Sequence, residues 1–234
     1  MEFVEAPHYY LYSVLLLALV FIAGLLAFSK HYKIILFSSL MALPQSLLSP
    51  LVVPEYWDPE MHLLFGLVGM EDLAFSFFTG GLVWIGILMS PFNTNHSYRI
   101  SPGPVFQRFA LCSIFGISTI SLLYLLGVRS LYNPIIVMGL WILLCLMNRK
   151  DYLPVAVSGS LVFLAIYAVV FKVSLLIWPE FILFWSAENL SGIYPLGIPL
   201  EELVWAFLYG GAWSLGIAYI LGFNMKDPVR TLLS

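Results

Sequence analysis

Apolar residues along this chain run in long unbroken stretches instead of alternating with polar ones, and the polar residues gather in short groups between them. A helix that crosses a bilayer takes about 20 mostly apolar residues. Seven stretches meet that demand: Tyr9 to Phe28, Ile34 to Val53, Leu63 to Met89, Val105 to Val128, Leu131 to Met147, Leu153 to Ile177 and Leu196 to Phe223. The fifth is the shortest, at 17 residues. The second contains Pro44 and Pro50, and a proline inside a helix removes a hydrogen bond, so a kink or an early end is predicted there. Residues Met1 to His8 carry no Lys or Arg and no clean small-residue cleavage site follows the first stretch. It therefore reads as a retained helix and not as a signal peptide.

Composition agrees with the pattern. Of 234 residues, 61% are hydrophobic and 10% charged, whereas an average soluble domain has about 45–50% apolar and about 25% charged residues. A water-soluble fold of this size would have to expose apolar surface it cannot cover. The net charge of -3 and ten Lys and Arg leave no basic footprint for nucleic acid. Cys112 and Cys145 each lie inside an apolar run, where they read as packing residues. Assigning the basic residues to alternate sides of seven spans puts Lys30, Lys33, Arg99, Arg108, Arg149, Lys150, Lys226 and Arg230 on one side and Arg129 and Lys172 on the other. The positive-inside rule then predicts a multi-pass cell-membrane protein with its N-terminus outside and its C-terminus in the cytoplasm. Glu2, Glu5, Glu55, Asp58, Glu60, Glu180 and Glu188 fall on the outward side.

Sliding the chain along itself by 130 positions lays Glu71-Asp72-Leu73-Ala74-Phe75 on Glu201-Glu202-Leu203-Val204-Trp205, and Gly80-Gly81 on Gly210-Gly211. Gly86-Ile87 then falls on Gly216-Ile217. The match predicts an all-α membrane domain over 1–234. Repeat one would be 9–89 and repeat two 131–223, parallel three-helix units joined by a linking helix at 105–128.

Carboxyl groups at the centre of a membrane helix cost about 2.5–3.5 kcal/mol each on insertion scales. Two readings of the paired acids follow: groups at the membrane surface meeting the helix macrodipole in a first turn, or buried groups with a use. The Gly-Gly pairs read as close-packing positions. Counting by four from Glu201 reaches Trp205, Tyr209 and Trp213, and from Glu71 reaches Phe75, so acids and aromatics share a helical face. A carboxyl in an apolar site holds its proton tightly, and an adjacent carboxyl strengthens that hold. Such a group can protonate a lipid-dissolved alkene, with aromatic faces stabilising the cation and the partner carboxylate taking a proton back. No cofactor and no metal are required, and His8, His31, His62 and His96 are scattered among separate loops.

Ile198-Pro199-Leu200-Glu201-Glu202-Leu203-Val204-Trp205 resembles the Pro-x-Glu-Glu signature of the small integral-membrane lycopene cyclases. Val68-Gly69-Met70-Glu71-Asp72-Leu73-Ala74-Phe75 is similar to a weaker copy of it. Glu55-Tyr56-Trp57-Asp58-Pro59 is similar to the family's segment before that helix. The resemblance implies two three-helix repeats and a redox-neutral cyclisation of a linear polyene end. It places the catalytic carboxyls at Glu201, Glu202, Glu71 and Asp72, and substrate contacts at Phe75, Trp205, Tyr209 and Trp213. The partner implied is a lipid-dissolved carotenoid or other isoprenoid within the membrane lipid. The sequence departs from the family in two places, Gly69 where the first signature has Pro and Asp72 where it has the second Glu. Non-catalytic carotenoid or polyprenoid binding and proton-coupled transport stay open as alternatives. A rhodopsin is disfavoured, because Leu196 to Phe223 holds no lysine for a Schiff base. The sequon Asn189-Leu190-Ser191 arises often by chance.

Overall fold

The computed structural model describes residues 8–53, 55–64, 68–90 and 102–223. Seven α-helices account for most of them: α1 (Tyr9–Ala27), α2 (Tyr32–Ala42), α3 (Met70–Met89), α4 (Pro102–Leu125), α5 (Tyr132–Asn148), α6 (Leu153–Ile177) and α7 (Leu200–Leu221). One small antiparallel hairpin pairs β1 (Leu63–Leu64) with β2 (Val68–Gly69). Proline marks several helix starts, where its missing N–H costs nothing: Pro102 opens α4, Pro154 stands second in α6 and Pro199 immediately precedes α7. Among the described residues six segments are long and apolar enough to cross a membrane, namely Tyr9–Ala27, Ser29–Leu51, Met70–Met89, Pro104–Leu125, Lys150–Ile177 and Leu200–Leu221. The seventh expected span, α5, is a shorter apolar helix of 17 residues.

Three expected boundaries are corrected. The stretch from Leu63 to Met89 is not one helix: its first residues form the hairpin and α3 begins at Met70. The second span leaves α-helical geometry at Leu43 and continues to Leu51 as a tighter 3-10 segment carrying Pro44 and Pro50, as prolines that cannot donate to the ladder require. The last span begins at Leu200 instead of Leu196, because Leu196 and Gly197 adopt positive φ, 57° and 81°. Lys172 Nζ holds that turn by donating to the Leu196 carbonyl at 2.8 Å. Glu2, Glu5, His96, Arg99, Lys226 and Arg230 lie outside the described residues.

Packing divides the chain into two compact units, one comprising residues up to Ile85 with Ala165–Leu203, the other Gly86–Leu164 with Val204 onward. In the first unit, α1, α2 and α3 meet at a glycine: a side chain at Gly81 would collide with Phe21 and with Ser39 Oγ. Ser38 Oγ donates to the Gly80 carbonyl at 2.6 Å in the same contact. In the second unit, Gly159 of α6 and Gly210 of α7 face one another so closely that a Cβ on either would strike the other's carbonyl oxygen. Gly81, Gly210 and Gly211 are thus close-packing positions, the use that small residues have between membrane helices.

Candidate functional site

The four acids lie in the first turns of α3 and α7 and all are buried: Glu71 is 1% exposed, Asp72 6%, Glu201 8% and Glu202 7%. First-turn placement and burial, posed as alternatives from sequence, therefore occur together. All four belong to the first unit, and each is met there by donors from other segments.

Glu202 has the fullest set. Its Oε1 accepts the Tyr56 hydroxyl at 2.6 Å and the Trp185 indole N–H at 2.9 Å. Its Oε2 accepts the Tyr167 hydroxyl at 2.5 Å. Burial, then the charge of Glu202 and the hydrogen bond to it, raise the Tyr56 phenol above its ordinary pKa, so it stays a donor. Asp72 accepts the Tyr10 hydroxyl at 2.8 Å on Oδ1 and the Ser49 hydroxyl at 2.6 Å on Oδ2. The first acid of each pair instead takes a backbone N–H from the preceding loop, Glu71 from His62 at 3.0 Å and Glu201 from Ser191 at 2.6 Å. Glu71 also meets His62 Nδ1 at 2.5 Å. Glu201 Oε2 is buried with no hydrogen-bond partner among the described residues.

The loops before α3 and α7 hold this cluster together. Trp57 and Trp185 form an antiparallel bridge, with the Asp58 N–H on the Phe184 carbonyl at 2.8 Å and the Ser186 N–H on the Tyr56 carbonyl at 2.9 Å. Asn189 of the sequon donates its side-chain amide to the Glu55 carbonyl at 2.6 Å, adding a second tie between the loops. Tyr10 packs edge-on against Trp57 at 4.5 Å, and Trp57 lies 5.5 Å from Trp185. One chain of contacts thus runs from Asp72 through Tyr10, Trp57 and Trp185 to Glu202.

Of the expected aromatic contacts, Phe75 belongs to this cluster, 6.4 Å from both Tyr10 and Tyr167. Trp205, Tyr209 and Trp213 belong to the second unit. They form a ladder there, Trp205 stacked on Tyr209 at 4.9 Å and Tyr209 parallel to Trp213 at 6.2 Å, with Phe163 packed 5.3 Å from Tyr209. Sequence reasoning missed Tyr10, Ser49, Tyr167 and Trp185 as partners of the acids and gave His62 no role. The available signal was a buried phenol: a tyrosine inside an apolar helix, as at Tyr167, needs a hydrogen-bond partner. Among the described residues no group of three or more His, Cys, Asp or Glu could hold a metal ion.

Residues 129–220 match the family model described as lycopene cyclase. The matched segment takes in α5, α6, most of α7 and the loop between α6 and α7, and so includes Tyr167, Trp185, Ser191, Glu201 and Glu202. No curated protein and no solved structure matches the chain.

Proposed function

We propose, from the match of residues 129–220 to the lycopene cyclase family model, that this multi-pass membrane protein isomerises the linear end of a carotenoid to a ring. The reaction begins with protonation of an alkene by a buried carboxyl and ends with proton loss to its neighbour. The observation that carries the reading is the adjacent pair Glu201 and Glu202, both buried in the matched segment, with three aromatic donors on Glu202. A carboxyl in such a site acts as a general acid, and the cation it creates is stabilised by π faces. Phe75 supplies one such face beside the acids. The reaction is redox-neutral and calls for no cofactor.

The finer topology is part of the same proposal. α5 crosses as a seventh span, the N-terminus lies outside, and the two three-helix halves are parallel repeats. Support comes from the equivalent loops, which pair antiparallel at Trp57 and Trp185 as segments related by a local two-fold do. The matched N–H bonds from His62 to Glu71 and from Ser191 to Glu201 support it too. Expression in a bacterial strain that accumulates lycopene, with pigments separated by chromatography, tests the function: a ring-bearing product is expected. Unchanged lycopene that co-purifies with the protein would replace catalysis with binding, and proton flux without pigment conversion would favour transport.

A further inference from the structure

The two acids on α7 are adjacent in sequence but differ in what surrounds them, and the geometry points to a fixed division of labour: Glu201 holds the transferable proton, and Glu202 is its ionised partner. Three donors converge on the two oxygens of Glu202. One of them, the Trp185 indole N–H, can only donate, so Oε1 is an acceptor whichever way the phenols turn. Such a set of donors is what a buried carboxylate needs. Glu201 has one donor, the Ser191 N–H on Oε1, while Oε2 is buried without a partner among the described residues. A charged oxygen left bare in that place would be costly. Placing a proton on it removes that charge.

The assignment rests on the proposed cyclisation and makes its proton balance explicit. The O–H bond of Glu201 breaks as the π pair of the terminal alkene takes the proton, leaving a tertiary cation on the substrate and a carboxylate on Glu201. The π pair of a second alkene forms the ring C–C bond. A ring carbon then loses a proton to the Glu202 carboxylate, and its C–H pair becomes the new double bond. Return of that proton from Glu202 to Glu201 restores the site, with no net oxidation. A carbocation is acid enough to give its proton to a carboxylate. Tyr56, Tyr167 and Trp185 are positioning residues in this scheme, acting through Glu202.

Infrared spectroscopy of the full-length protein in lipid vesicles tests the assignment, since the carbonyl stretch of a protonated carboxyl shifts on transfer to D2O. Glu201→Gln should remove one protonated-carboxyl band and Glu202→Gln should leave it. Loss of that band in Glu202→Gln, or its survival in Glu201→Gln, overturns the proposal. Tyr167→Phe keeps both acids and guards against a folding artefact. It should add a second protonated-carboxyl band as Glu202 loses a donor, and slow ring formation roughly tenfold, the loss expected for one hydrogen bond to a charged group. An unaltered spectrum in Tyr167→Phe would also count against the scheme. The outcome is separable from the cyclase reading: a wild type that makes no ring but carries its proton on Glu201 would refute the reaction and keep the proton assignment.

Discussion

Glu71-Asp72 and Glu201-Glu202 stand at equivalent places in α3 and α7, yet their surroundings differ. In each pair the second acid is bound by hydroxyls from other segments and the first by a loop N–H, so the backbone scheme is shared. The difference lies at the first acid. Glu71 is closed by the imidazole of His62, whose side chain is 55% exposed, whereas Glu201 Oε2 is buried without a partner among the described residues. The match to the lycopene cyclase family covers the second pair and not the first. One capping side chain thus separates the two helix starts: both oxygens of Glu71 meet His62, whereas among the described residues only one oxygen of Glu201 has a partner.

Of the second acids of the two pairs, the one on α7 should matter more. Glu202→Gln can keep Tyr56 and Trp185 on its carbonyl while the Tyr167 hydroxyl turns to accept from the new NH2, so the fold should survive. Ring formation should fall by at least about 100-fold, as loss of a general acid or base does. Asp72→Asn, whose partners are two hydroxyls that can also turn, should lower it by roughly tenfold or less. Pigment ratios at equal protein levels measure both, and a larger loss in Asp72→Asn would invert the comparison.

His62→Ala should act on stability more than on turnover. It strips the imidazole from a carboxylate that is 1% exposed, leaving the backbone N–H as a donor. A buried acceptor robbed of one partner costs about 1–3 kcal/mol, to be read as a lower melting temperature in detergent with ring formation changed less than about threefold. The smallest effect belongs to Gly69→Ala. A Cβ there would meet Met61 Sδ at 2.7 Å and Asp72 Oδ2 at 3.2 Å. The methionine end can swing away while its Cβ, 3.1 Å off, has to give slightly, so a cost of about 1 kcal/mol is expected, seen as a small fall in melting temperature.

The helices were legible in the sequence because hydropathy reports burial in lipid directly: α6 begins and ends where the apolar run does, at Leu153 and Ile177. The failures have one cause. Apolar content does not distinguish a helix from an apolar hairpin or turn, so Leu63–Leu64, Val68–Gly69 and Leu196 were absorbed into their neighbouring spans. The acids and Phe75 could be named from the repeat and the motif. Their partners could not, since Tyr10, Tyr56, Tyr167 and Trp185 are separated from Glu202 or Asp72 by between 17 and 146 positions. Tyr10, near the end of an apolar run, also reads as an ordinary membrane-interface anchor, so nothing local marked it as part of a site, whereas Tyr167 lies well inside its helix.

The claim that the two pairs have separated in role is tested most directly by exchanging the equivalent first acids. Glu71→Gln and Glu201→Gln, expressed at matched levels in the same lycopene-accumulating cells, are compared by the fraction of pigment carrying rings. The account expects no ring product from Glu201→Gln and a substantial fraction of wild-type product from Glu71→Gln. Equal loss in both variants, or loss in Glu71→Gln alone, would contradict it.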